Sequence, residues 1–226
     1  MQQLLKQIQE LKQSRIRQQI DQRLFEFHQF QTNNKTAQDW FSEFCFCLLT
    51  ANAKSKTACA VQQELGAEGF AAASFDELVS VIRKNKHRFH NTKAKYIIEA
   101  RKHQNIKEKI MQYNDEQQIN RNKNEKKHKN EKQVREWLVA NVKGYGYKEA
   151  SHFLRNVGFK NLAILDRHVL NHLYENKIIQ KIPQSLSQKN YLKIEKNMES
   201  LCSALQMTQA ELDMYLWYMK AGDVLK

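Results

Sequence analysis

The chain has 226 residues, 41% of them apolar, which is enough for one domain of ordinary size or two small helical lobes that fold without staples. Its 37 Lys and Arg against 24 Asp and Glu leave a formal charge of +13, which favours a polyanionic partner, nucleic acid first, through phosphate neutralisation. No apolar run approaches the roughly 20 residues of a bilayer span, and Met1-Gln2-Gln3-Leu4-Leu5-Lys6 lacks the order of a secretory signal, so a soluble intracellular protein is expected, in the cytoplasm or nucleoid if the host is prokaryotic.

One proline, Pro183, and six glycines punctuate a sequence in which apolar residues recur at helical spacing, so a nearly all-α protein is predicted. Leu4, Ile8, Leu11, Ile16, Ile20 and Leu24 mark one or two amphipathic helices in a glutamine-rich background. Thr36-Ala37-Gln38-Asp39 opens a segment whose dense apolar run, Trp40 to Leu49, predicts a buried helix ending at Thr50-Ala51-Asn52. Asp76 to Ile82 and Thr92 to Ala100 predict further helices, with the basic stretch Arg83 to His90 exposed between them. Cys45, Cys47, Cys59 and Cys202 show neither a disulfide framework nor paired CxxC spacing, so free thiols, no metal and no cofactor are expected.

From Tyr113 to Gln133 apolar residues almost vanish, and the run from Arg121 to Lys132 is polar or charged throughout. That composition suits a linker, a mobile loop or a solvated helix face, and the boundary between two lobes is placed there.

Val134 to Val142 is helical by pattern, Lys143-Gly144-Tyr145-Gly146-Tyr147 interrupts it, and Ala150, Phe153, Leu154 and Val157 resume the helical stripe. This is a helix-hairpin-helix over 134–158. Gly144 and Gly146 can adopt backbone conformations closed to other residues, and the next helix offers free N–H groups, as suits a DNA phosphate. Beyond Gly158, Asp166 follows the apolar Leu162-Ala163-Ile164-Leu165, where an acid is either desolvated or the N-cap of a helix from Arg167 to Tyr174. Near the end, Thr208-Gln209-Ala210-Glu211 reads as a capping box for a helix burying Leu212, Tyr215, Leu216 and Met219. Asp213 and Trp217, at i and i+4, share another face on which they could meet a ligand.

The segment Lys143-Gly144-Tyr145-Gly146-Tyr147-Lys148-Glu149-Ala150 through Gly158, followed by Ile164-Leu165-Asp166-Arg167-His168, resembles the archaeal and bacterial type-2 8-oxoguanine DNA glycosylase/lyases of the helix-hairpin-helix, Gly/Pro-Asp superfamily. Phe46 to Asn52, Arg88 to Arg101 and Glu211 to Lys226 extend the likeness, which is weakest over 1–30 and 113–132. The resemblance implies one all-α domain over 1–225 of two helical lobes, with the active site in the cleft between them and Lys226 as a functional C-terminus. It implies base-excision repair of duplex DNA containing 8-oxoguanine, by a monomer without cofactor, that excises the base and cleaves the abasic strand by Schiff-base β-elimination.

It further implies Lys148 as nucleophile and Asp166 as its acidic partner. Gly144 and Gly146 give backbone N–H groups to phosphate, and His168 is a further phosphate contact. Trp217 stacks on the extruded base, Asp213 and Lys226 take part in reading it, and Phe89 is a second stacking candidate. Without the resemblance, Lys148 fits a phosphate contact, Asp166 a helix cap and Trp217 a core aromatic. A non-catalytic helix-hairpin-helix module, a glycosylase for another damaged base, and an interaction protein built on the glutamine-rich N-terminus are the competing readings.

Overall fold

The computed structural model describes residues 1–32, 34–118 and 123–226, with side chains given outside 114–129. Its α-helices are α1 (Gln2–Lys12), α2 (Ile16–His28), α3 (Ala37–Thr50), α4 (Ser55–Ala72), α5 (Phe75–Lys84), α6 (His90–Ala100), α7 (Ile106–Gln118), α8 (Lys123–Asn141), α9 (Tyr147–Asn156), α10 (Arg167–Glu175), α11 (Gln188–Leu205) and α12 (Gln209–Ala221). A 3₁₀ turn, Arg101–His103, follows α6, and there is no strand among the described residues, as the pattern predicts.

The helices enclose two apolar cores. Phe30 to Leu162 build the first, around Trp40, Phe44, Phe46, Tyr145 and Phe153. The second combines the two ends of the chain, with Leu4, Ile8, Ile20 and Phe27 packed among Leu165, Leu170, Tyr191 and Tyr215. The chain therefore passes from the second lobe into the first near Phe30 and returns between Leu162 and Ala163. This corrects the boundary expected over 113–133.

Of the readings left open for that charged run, the structure has helix over most of it, since α7 continues to Gln118 and α8 starts at Lys123, while 119–122 lie outside the described residues. Lys, Glu and Gln are good helix formers. Most helical stability in proteins comes from packing one apolar face, and the later turns of α8 supply it by burying Val134 and Leu138 in the first core.

A buried ion pair ties the two lobes together. Arg135 on α8 meets Glu195 on α11 in a two-pronged contact, Nη1–Oε1 2.5 Å and Nη2–Oε2 2.8 Å. The guanidinium lies 5.0 Å from the Tyr147 ring and 5.5 Å from that of Tyr191. Glu195 Oε1 also accepts from the Ala163 N–H at 2.9 Å, and the Tyr191 hydroxyl donates to the Ala163 carbonyl at 2.6 Å. The crossing segment that leads to Asp166 is thus fixed by side chains of α11.

In the hairpin, successive tyrosines serve different lobes. Tyr145 is buried in the first core and its hydroxyl donates to the Phe44 carbonyl at 2.8 Å, whereas the Tyr147 ring packs 5.3 Å from Tyr191 in the second. Gly144 makes the turn with φ +90°, and a Cβ there would stand 2.6 Å from Cδ2 of Tyr96. Gly146 has φ −102°, open to any residue, so the conformational freedom expected of both glycines is needed only at Gly144. Gly144→Ala should therefore lose at least about 1–2 kcal/mol from the left-handed backbone alone, read as an earlier urea midpoint. Gly146→Ala should be milder, because its Cβ meets only the end of the flexible Glu149 side chain at 3.2 Å.

Candidate active site

The hairpin delivers Lys148 as the second residue of α9, half-buried, with its Nζ donating to Thr50 Oγ1 at 3.3 Å. Thr50 closes α3; Ala51 is extended at φ −65°, ψ 119°, and of the last carbonyls that of Thr50 accepts from the Ala53 N–H at 3.3 Å, whereas those before it turn to side chains. Thr50 Oγ1 donates to the Cys47 carbonyl at 2.9 Å, Lys93 Nζ to that of Leu48 at 2.6 Å, and His87 Nε2 lies 2.9 Å from that of Leu49. A helix C-terminus is the negative pole of its dipole and attracts such cations.

Lys93 is buried, and burial pushes its pKa down to about 8, with Glu149 opposing the shift and Lys148 adding to it. His87 is buried too, although the stretch from Arg83 to His90 was expected to be exposed. Its contact with the Leu49 carbonyl explains why.

Asp166 is the N-cap of α10, its Oδ1 accepting from the Val169 N–H at 2.8 Å. Its other oxygen makes no hydrogen bond among the described residues, so capping leaves half of the carboxylate available. Asp213 is linked electrostatically to both residues. It is pushed up to about 6, by burial first and by Asp166, against the pull of Arg155 and Lys148. Contrary to the open face expected for it, Asp213 is buried, with Oδ2 3.5 Å from Nη1 of the buried Arg155.

Trp217 is half-buried and meets His168 edge-on, with ring centroids 5.8 Å apart. His168, expected as a phosphate contact, thus lies against the aromatic, and its buried Nδ1 has no partner among the described residues. Gly146 N–H, expected to be free for phosphate, is held by the Glu149 carboxylate at 3.2 Å. Phe89 precedes α6 under the Arg88 guanidinium, 4.6 Å from its ring centroid, and no hydrogen bond or ring contact among the described residues joins it to Lys148, Asp166 or Trp217.

After α12 the chain crosses back to the first lobe. Asp223 pairs with Lys56 at 3.1 Å, and Ser55 Oγ donates to the Lys226 carbonyl at 2.9 Å. The Lys226 ammonium pairs with Glu43 and sits 4.6 Å from the Phe46 ring centroid. Glu43 is itself held by Asn156 Nδ2 at 2.9 Å and Gln62 Nε2 at 3.0 Å. Beside them His152 stays neutral, because burial first, then Arg155, Lys148 and Lys226, lower its proton affinity.

A family model described as 8-oxoguanine DNA glycosylase matches residues 20–207. The chain belongs to this family. It is 43% identical over 223 residues to a protein of Methanocaldococcus jannaschii named 8-oxoguanine DNA glycosylase/AP lyase, covering 99% of both chains. It is 36% identical over 226 residues to a protein of the same name from Thermotoga maritima, covering 100% of each. The fold superposes on the M. jannaschii enzyme solved with a 15mer DNA containing 8-oxoguanine with a TM-score of 0.86 at 43% identity, covering 99% of both chains. For the T. maritima enzyme the TM-score is 0.85 at 34% identity, covering 100% of this chain and 99% of that one.

Of the predicted residues, Lys148, Asp166 and Asp213 form one electrostatic group, Trp217 and His168 one aromatic contact, and Lys226 a docked tail. Lys93, Arg155, Glu43, Thr50 and His87 enter the site without having been singled out in the sequence. A lysine or arginine in an amphipathic helix reads as a surface charge. One cue was available for Lys93, which sits three residues before Tyr96 on α6 and just after the basic stretch, inside a segment that resembles the family.

Proposed function

We propose that this chain excises 8-oxoguanine from duplex DNA as a bifunctional DNA N-glycosylase and AP lyase, with Lys148 as the nucleophile and Asp166 as its acidic partner. The observation that carries the assignment is the environment of the Lys148 amine. It is half-buried at the head of the hairpin helix, bonded to a neutral hydroxyl and, among the described residues, in no ion pair with a carboxylate. An amine so placed has no carboxylate partner to leave before it meets the sugar.

The target nucleotide must leave the stack before any side chain reaches its sugar, at a cost of a few kcal/mol, and the hairpin at Gly144 grips the backbone to support that distortion. The Lys148 Nζ lone pair attacks C1′ and the C1′–N bond to the base breaks, its electrons leaving with the base. Opening of the sugar ring gives an imine between Nζ and C1′, and loss of a C2′ proton then breaks the C3′–O3′ bond by β-elimination. Asp166 stabilises positive charge growing on the sugar as the base departs. Trp217 stacks on the extruded purine, while Asp213 and Lys226 contribute to reading it. 8-Oxoguanine differs from guanine by a C8 carbonyl and a hydrogen on N7, so an acceptor aimed at N7–H distinguishes the two.

The direct test is incubation with duplexes carrying 8-oxoguanine or guanine at one position. Strand cleavage without added alkali is expected only at the lesion, and equal handling of the two duplexes would defeat the proposal.

Asn is as good an N-cap as Asp, so Asp166→Asn removes charge while keeping α10 capped. Single-turnover excision should fall on the order of 10²–10³-fold, with affinity for a duplex holding a non-cleavable abasic analogue little changed. Lys226→Ala removes the contact with Glu43 and Phe46, and competition assays should then show a weaker preference for 8-oxoguanine over guanine.

A further inference from the structure

We propose that Thr50 is a positioning residue for Lys148: its hydroxyl, whose one proton is engaged by the end of α3, can only accept from the amine, and so keeps the amine's lone pair turned away from α3 and open to the sugar. The inference rests on the reading of Lys148 as nucleophile.

Two distances define the arrangement. Thr50 Oγ1 donates to the Cys47 carbonyl at 2.9 Å and accepts from Lys148 Nζ at 3.3 Å. A hydroxyl has one proton and two lone pairs, whereas a carbonyl oxygen can only accept, so the proton goes to Cys47 and the lone pairs of Oγ1 face the amine. Thr50 is only 7% exposed, and a buried carbonyl that lost this donor would find no water to replace it. The contact to the carbonyl three residues back is also one that a helical threonine makes readily, which fixes the side-chain rotamer.

The direction of this hydrogen bond decides whether the amine can react. A neutral amine has two N–H bonds and one lone pair, arranged tetrahedrally. Spending one N–H on Thr50 leaves the lone pair pointing elsewhere, ready for C1′. A hydroxyl free to donate would instead cap the lone pair and hold the nucleophile out of the reaction.

Both ends of the lysine are referenced to the same helix. The hairpin that carries Lys148 is tied to α3 through the Tyr145 hydroxyl, which donates to the Phe44 carbonyl at 2.8 Å, one turn before Cys47. The tip of the lysine is tied to it through Thr50. The end of α3 is in turn held from the segment before α6 and from α6 itself, with His87 Nε2 at 2.9 Å from the Leu49 carbonyl and Lys93 Nζ at 2.6 Å from that of Leu48. Reacting groups held in one frame gain rate from orientation alone, and a small displacement of either loses it.

The test compares wild type with Thr50→Val, which keeps the side chain's shape without the hydroxyl, and with Thr50→Ser, which restores the hydroxyl. Two single-turnover reactions are followed well below the melting temperature: excision from an 8-oxoguanine duplex, and borohydride trapping on a duplex with a preformed aldehydic abasic site. Thr50→Val should slow both by the same factor, on the order of 10-fold, because both need the amine aimed at C1′, while affinity for a duplex with a non-cleavable abasic analogue stays unchanged. Thr50→Ser should recover most of both rates. Wild-type rates in Thr50→Val would overturn the proposal, as would a loss of excision with trapping intact, which would place Thr50 in base handling. A loss matched by weaker DNA binding, or a serine variant as slow as the valine one, would make Thr50 structural only. Should the valine variant not fold, Thr50→Ala decides. Mapping the reduced wild-type adduct separates the two readings: an adduct on Lys148 with Thr50→Val at full rate refutes this inference alone, whereas an adduct elsewhere refutes the nucleophile assignment.

Discussion

Lys148→Gln is expected to lose covalent trapping on damaged duplex and to lower excision by at least about 10³-fold, while still binding the duplex. Glutamine keeps a donor for Thr50 Oγ1 and replaces a residue that is only half-buried, so the fold should be preserved. What it removes is the lone pair, without which neither the bond to C1′ nor the imine can form. Gel-shift affinity and single-turnover cleavage, measured on the same protein, separate the two effects. A variant that cleaves at the wild-type rate would mean that another group attacks the sugar.

The second large effect concerns stability. Glu195→Ala should cost about 3–5 kcal/mol, because it strands Arg135 as a buried charge without a partner. In a chain of this size that corresponds to a melting temperature lower by roughly 6–20 °C. Glu195 also accepts from the Ala163 N–H at 2.9 Å, so its loss frees the segment that sets the start of α10 and the position of Asp166. Activity measured well below the new melting temperature should therefore fall as well. Replacing both members of the pair with apolar residues, Arg135→Met with Glu195→Leu, should recover much of the stability, since the desolvation cost of both charges is then removed. A double variant as unstable as Glu195→Ala would show that the hydrogen bonds to the crossing segment, rather than the stranded charge, dominate.

Local features carried much of this architecture into view before any coordinates. The glycine hairpin between two apolar stripes, the helix opening after Thr36 and the acid before Arg167 are decided by residues within a few positions of one another, and the structure has each of them. The lobes are another matter. A linker was expected over 113–133 because apolar residues are scarce there, yet the division falls near Phe30 and Leu162, since the N-terminal helices complete a core begun by the C-terminal ones.

The site divides in the same way. Lys148 and Asp166 lie next to the local signals that mark them. Lys93 acquires its character from the Leu48 carbonyl, and Lys226 from Glu43, through contacts between segments far apart in sequence. Nothing in a helical repeat distinguishes a lysine on the solvent side from one aimed at a helix end. Asp213 shows the converse, as its i, i+4 relation to Trp217 is real but burial beside Arg155 takes it off the open face.

The central claim is that Lys148 forms the covalent bond to the sugar. Borohydride reduction during turnover of an 8-oxoguanine duplex, followed by proteolysis and mass spectrometry of the cross-linked peptide, tests it most directly. The adduct is expected on the peptide carrying Lys148. An adduct on Lys93, the neighbouring buried amine, or the absence of any adduct while the strand is still cleaved, would contradict it.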